Sequence, residues 1–439
     1  MMLLAMSSLV LGVCNDDDVS VGTGADGRAL EVCAPQGVAL GNGVPDLAAA
    51  LAALQARVAA LEQAAAEPGE TAVFTGSVAA APSLDNWSPA PLAGVRVVLG
   101  DLSVRFVGMD EVAGLERALE QVQHIRDTLT VQDTSLPTLS ILRSCQSFFA
   151  GYIVGNNNLT DLRGLGNLTR VLDLFTIDNN AALLSTDGLY NLTSVGRDLD
   201  VSNHPVLERI MLPNLAHVGA TLDLRDNGRV SSVSLPALTE VGGNLNLHAM
   251  PLTSINMPAL TRVGALSLQN VTLPSLQGLG LLESVGTMEV GDYGRKGGNA
   301  HLLTLDGLTS LTTCGRLGIQ FNDALKHVDG LSSLVRVNGS VTITQNSQLQ
   351  NLDGLRSLTR VDGSVTISDN GALLDIAAGL AHLEQARGSV YIGDHPHLVV
   401  PASAFGKLQC VGLSPGQTFR CNPCPVDLVS KLINLPNCV

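Results

Sequence analysis

The sequence predicts a mainly β fold: a parallel solenoid of about thirteen stacked, leucine-rich rungs. The first indication is composition. Hydrophobic residues make up 45% of the 439, but aromatics only 3%. A core built from Leu, Val, Ile and Ala suits thin repeated layers rather than a globule pinned by rings. The second is a recurring apolar–x–apolar strand. Its pairs are Leu102/Val104, Leu129/Val131, Tyr152/Val154, Phe175/Ile177, Leu199/Val201, Leu222/Leu224 and Leu245/Leu247. They continue with Leu266/Leu268, Met288/Val290, Leu317/Ile319, Val341/Ile343, Val365/Ile367 and Val390/Ile392. The third is a glycine before most of these strands, at 196, 219, 242, 264, 286, 315, 339, 363 and 388, stepping by 23, 23, 22, 22, 29, 24, 24 and 25.

Each rung has a grammar. Alternation makes a strand with one face inward. Three residues past the second apolar position stands an asparagine in six rungs: Asn157, Asn180, Asn227, Asn322, Asn346 and Asn370. Its amide suits a buried corner and can stack on its counterparts in neighbouring rungs. Leucines such as Leu349, Leu352, Leu355 and Leu358 fill the interior. The following glycine then turns the chain, on this reading, through positive φ. The second corner has two dialects: "DGL", begun by Asp187, Asp306, Asp329 and Asp353, and "LPxL", carrying Pro213, Pro236, Pro258 and Pro274.

The stretch "GDLSVRFVGMDEVAGLERALEQVQHIRDTLTVQ", followed by rungs ending "LxxLxxVxGxLxIxxNxxL", resembles the receptor L-domain family over about residues 97–412. The resemblance implies a right-handed leucine-rich β-solenoid of the kind found in receptor ectodomains, fungal cell-wall proteins and bacterial surface lipoproteins.

The flanks divide as follows. Residues 1–14 read as a signal peptide or lipoprotein signal, since the apolar run is too short to span a bilayer. In the lipoprotein reading Cys14 carries the lipid and is the one membrane attachment. Residues 15–44 read as a flexible leader rich in Gly and Asp. Residues 45–66 read as a helix or short coiled coil; Leu47, Leu51, Leu54, Val58 and Leu61 form a heptad seam that suits a weak homo-oligomer through 47–61. Residues 67–96 are a linker and N-terminal cap, and 413–439 a C-terminal cap.

Cys410, Cys421, Cys424 and Cys438 crowd that cap. They suit two disulfides in any of three connectivities, with a short amphipathic helix stapled between Cys424 and Cys438. A four-cysteine zinc site is the alternative, and it fits poorly with export. Cys145 and Cys314 lie many rungs apart and read as buried thiols. Sequons at Asn158, Asn167, Asn191, Asn270 and Asn338 are candidate glycan sites, as is Asn86, which a Ser-Pro follows. Asn167 and Asn191 also fill a slot that other rungs give to Ser310, Ser333 and Ser357.

A net charge of 25 − 40 = −15 argues against nucleic acid as a partner, because phosphate neutralisation needs clustered Lys and Arg. No catalytic constellation or cofactor motif is found: "GDYGRKGG" lacks the GK[ST] of a phosphate loop, and HExxH is missing. His395 and His397, in "HPH", read as turn residues. Two features remain for binding. The 29-residue repeat carries a loop with Tyr293, Arg295 and Lys296. The residue between each apolar pair points outward and forms a column holding Asp200, Asp223 and Glu289, with Ile153 in the third rung. These features predict a non-catalytic, exported surface protein that binds an extracellular protein or carbohydrate. A structural cell-envelope component without a discrete ligand is the second reading. A solenoid lyase or hydrolase is the third, and the three acids of the column lack a base in register.

Overall fold

The computed structural model describes residues 9–13, 20–23, 30–34, 72–74, 78–80, 94–107, 112–291, 298–411, 420–421, 435 and 438. The chain separates into two units, Met1–Thr71 and Ala72–Val439. In the first, Leu9–Val13 pairs in parallel with Leu30–Ala34, and Ser20–Thr23 pairs antiparallel to the same strand. The stretch read as a flexible leader thus contains two strands, built where short β-favouring runs interrupt the Gly and Asp. The helix and seam read at 45–66 lie outside the described residues.

The second unit is a parallel β-solenoid of thirteen rungs, mainly β with few helices. Its principal sheet pairs Leu102–Arg105 with His124–Gln132, then with Ser147–Val154, and continues rung by rung to Val390–Gly393. At either end Val78–Ala80 and Arg420–Cys421 add one more parallel pairing. A helix at Val112–Leu119, not anticipated from the repeat pattern, buries Leu115, Ala118 and Leu119 against the first rungs. The interior is the expected column of aliphatics, in which Leu349, Leu352, Leu355 and Leu358 are at most 1% exposed. Because each slab buries its leucines against the next, no rung is stable alone.

The rungs turn at a corner the glycines do not occupy. In every rung a residue at or just past the end of the strand is left-handed: Phe106, Asp133, Gly155, Asn179, Asn203, Asp226, Ala249, Asn270, Gly291, Phe321, Gln345, Asp369 and Asp394, with φ from 51° to 99°. Seven are Asn or Asp, the non-glycine residues that tolerate this region best. The nine glycines of the period, at 196, 219, 242, 264, 286, 315, 339, 363 and 388, have ordinary φ, which corrects the turn reading. They are required by close approach: a Cβ on Gly219 would strike the carbonyl of Gly196, and one on Gly242 that of Gly219. The nine form a column down which stacked backbones touch.

The two dialects make different walls. Rungs with "DGL" form 3-10 turns such as Asp187–Leu189, Asp329–Leu331 and Asp353–Leu355. The "LPxL" rungs instead carry a second small parallel sheet, Arg209–Met211, Ser232–Ser234 and Ser254–Asn256. Pro274 does not share the turn of Pro213, Pro236 and Pro258: its carbonyl accepts the Leu303 amide, and Gly278 stands in the "DGL" position four residues on.

One rung is shifted from the sequence reading. Phe175 pairs with Gly151 and Ile177 with Ile153, so the inward pair of the third rung is Gly151/Ile153. Tyr152 points outward and Ile153 is fully buried. The inward glycine hid the pattern, because its missing side chain is replaced by the Phe148 and Phe175 rings, edge-on at 5.1 Å.

Candidate functional site

The same shift moves the asparagine corner from the exposed Asn157 to Asn156, which is 0% exposed. The residue following the left-handed corner turns inward in twelve rungs, and in the ninth Asn299 takes that place after the insertion. The column runs Val107, Thr134, Asn156, Asn180, His204, Asn227, Met250, Val271, Asn299, Asn322, Asn346, Asn370 and His395, all buried. Each Asn satisfies two backbone groups of the rung before it. Asn180 Nδ2 donates to Ile153 O at 2.8 Å, and its Oδ1 accepts the Asn156 amide at 3.0 Å. Asn346 and Asn370 repeat this, and so does Asn299.

Histidine takes the same role twice. His204 Nδ1 accepts the Asn180 amide at 3.2 Å and Nε2 faces Ile177 O at 3.1 Å. These partners assign the neutral Nε2–H tautomer. Burial pushes its pKa down to about 4, against smaller opposing effects of the Ile177 and Asn180 backbones and Asp178. His395 does the same with Asn370 and Ile367, and burial again lowers its pKa. His395 is therefore a ladder residue, not a turn residue. The column is structural, and it leaves the opposite side of each strand to face solvent.

That outward column is Ser103, Thr130, Tyr152, Thr176, Asp200, Asp223, Asn246, Ser267, Glu289, Gly318, Thr342, Thr366 and Tyr391, each paired in register with the next. Asp200 and Asp223 are direct neighbours; Glu289 lies three rungs further on. Burial raises the pKa of Asp200, and Asp223 and Asp178 add repulsion. Asp200 Oδ1 is buried without a hydrogen-bond partner. Asp223 accepts the Arg225 amide at 3.2 Å and the Asn246 amide group at 3.2 Å. The two aspartates border a shallow depression of about 290 Å³ with Thr176, Asp198 and Thr221. Glu289 also has a raised pKa from burial, offset in part by Arg316 at 3.5 Å. Among the described residues no group of three or more His, Cys, Asp or Glu could hold a metal ion.

Tyr293, Arg295 and Lys296 lie outside the described residues, as do Cys14, Cys424 and Asn86. Cys410 is bonded to Cys438, with Cα atoms 5.1 Å apart. Cys438 is thus not the partner of Cys424, and the bond closes the cap onto the last rung rather than stapling a helix. Of Cys421 the structure describes the backbone, paired with Ile392. Cys145 and Cys314 are buried free thiols, each pushed up to about 12 by burial. Among the sequons Asn158, Asn270 and Asn338 are exposed. Asn167 and Asn191 donate Nδ2 to Arg143 O and Gly166 O of the preceding rung at 2.7 and 2.8 Å. Ser310 and Ser357 make the equivalent bond.

No protein-family model matches the chain, and no curated protein does. Two solved structures are similar at low identity. A chain of the Drosophila Toll–Spatzle complex matches at 15% identity and TM-score 0.29, covering 75% of this chain and 52% of its own. This chain therefore spans about half the length of that one. A leucine-rich repeat protein from Bacteroides ovatus matches at 13% identity and TM-score 0.18, covering 73% of this chain and 86% of its own. By its own rungs the chain is a leucine-rich parallel β-solenoid, and its likeness to receptor L domains stays one of sequence motif.

Proposed function

We propose that the chain is a non-catalytic binding scaffold that presents its principal strand face to a partner outside the cell. One observation carries this reading. Thirteen outward positions, all but Gly318 bearing a side chain, stand in register along one sheet, and Ser103, Thr130, Tyr152 and Thr176 spend no side-chain polar atom on a hydrogen bond among the described residues. A sheet face of this kind offers repeated, evenly spaced contacts at about 4.8 Å per rung. Export is supported by the Cys410–Cys438 bond, which suits an oxidising compartment. No described helix is long and apolar enough to cross a membrane, and the lipid anchor at Cys14 belongs to this proposal.

A photo-crosslinking side chain placed at Thr176, Ser267 or Thr342, on the native cell surface, should capture a partner. The same side chain at Ser231 or Thr253, exposed on another wall, should not. Equal capture from both walls, or capture from the second wall alone, would remove the basis for assigning the strand face.

A further inference from the structure

At its first three rungs the strand face sinks into a depression of about 460 Å³. The volume falls within the range of small-ligand sites, roughly 300–1,000 Å³. Thr130 is part of it, 9% exposed, with Ser103 and Tyr152 on the rungs either side. None of these three hydroxyls bonds to protein among the described residues. Gln132 contributes an amide oriented by its Nε2–H bond to Asp133 Oδ2 at 3.0 Å. Thr128, Asp101 and Arg105 complete the polar lining, so one negative and one positive charge offset each other in a chain of net −15.

Aromatics gather at the same end. Tyr152 is 36% exposed, and Phe106, directly after Arg105, is 60% exposed. Phe106 holds φ at 56°, where seven other rungs place Asn or Asp, and its amide bonds Gln132 O at 3.3 Å.

We propose that this depression binds a neutral saccharide. A sugar ring alternates apolar C–H faces with hydroxyl edges. The Tyr152 ring suits the first, while the Ser103, Thr130 and Gln132 groups suit the second. The balanced Asp101 and Arg105 charges favour an uncharged ligand over an anionic or cationic one. The proposal rests on the reading of the strand face as the binding surface and narrows it to one place and one ligand class.

The test is saturation-transfer NMR on the full chain with millimolar maltose, cellobiose, lactose and N,N′-diacetylchitobiose. At least one disaccharide should receive saturation. Tyr152→Ala should weaken its affinity about tenfold. Thr130→Val, which removes one hydroxyl at nearly constant volume, should weaken it several-fold. Ser231→Ala, exposed on another wall, should leave it unchanged. Saturation of none of the four, or binding that survives both Tyr152→Ala and Thr130→Val, would overturn the saccharide site. Crosslinking of a protein partner from Thr342 in that event would keep the scaffold reading and dismiss this site alone.

Discussion

Replacing His204 by Asn should make the solenoid more resistant to acid without changing its stability at neutral pH. His204 is fully buried, and its ring reproduces the two bonds that Asn makes in other rungs. Above about pH 6.5 the ring is neutral in both folded and unfolded chains and contributes no pH dependence. As pH falls, the unfolded chain takes up a proton near 6.5, while the folded chain resists until about 4. Between those values the unfolded state binds more protons, so folded stability is lost as pH falls. The full loss, for a shift of about 2.5 units, is about 3 kcal/mol below pH 4, and about 2 kcal/mol of it is present at pH 5. Protonation would also set the Nδ1 hydrogen against the Asn180 amide hydrogen. His204→Asn should therefore match the native chain in urea midpoint at pH 7.5 and exceed it by about 2 kcal/mol at pH 5. Parallel stability curves for the two proteins across that interval would refute the reasoning. His204→Ala separates the ladder from the titration. It leaves the Asn180 amide and Ile177 carbonyl unpaired and should cost about 2–5 kcal/mol at pH 7.5, and about 2 kcal/mol less than that at pH 5, where the native chain already bears the titration loss.

Other positions give equally direct outcomes. Gly219→Ala, whose methyl would enter the Gly196 carbonyl, should cost about 3 kcal/mol, read as a lowered thermal midpoint. Ala249→Gly relaxes a φ of 51° and should add about 1 kcal/mol by urea titration. Loss of the Cys410–Cys438 bond, which closes a separation of 28 residues, should cost about 3–4 kcal/mol in the chain-entropy estimate. Limited proteolysis of Cys438→Ala should then cut first near the C-terminus.

The rung count and most strand registers were legible because an inward-facing strand leaves a period-two trace and stacked slabs leave a fixed repeat. The trace failed where an inward position held no side chain. Gly151 has its volume supplied by Phe148 and Phe175, so the apparent alternation slid one residue to Tyr152/Val154. The asparagine corner was legible in the rungs that keep Asn at fixed spacing. His204 and His395 escaped because equivalence to Asn lies in the geometry of two ring nitrogens, and Asn299 because the insertion displaces it. The glycine period was seen, but its cause was misassigned. Contact between backbones 22 to 29 residues apart leaves no local signature separate from that of a turn. The saccharide depression had no motif at all. It is assembled from one side chain per rung, and its Tyr152 was assigned inward until the register of the third strand was known.

The account depends most on there being one continuous outward column. A cysteine-accessibility scan in a chain with Cys14, Cys33, Cys421 and Cys424 replaced by Ser tests this, because the remaining free thiols at 145 and 314 are buried and the 410–438 pair is bonded. Single cysteines at Tyr152, Thr176, Asn246 and Thr342 should react with a maleimide in the folded chain, and those at Ile153, Ile177, Leu247 and Ile343 should react only after unfolding. Fast labelling at Ile153 with protection at Tyr152 would contradict the register, and with it the strand face on which the proposed function is built.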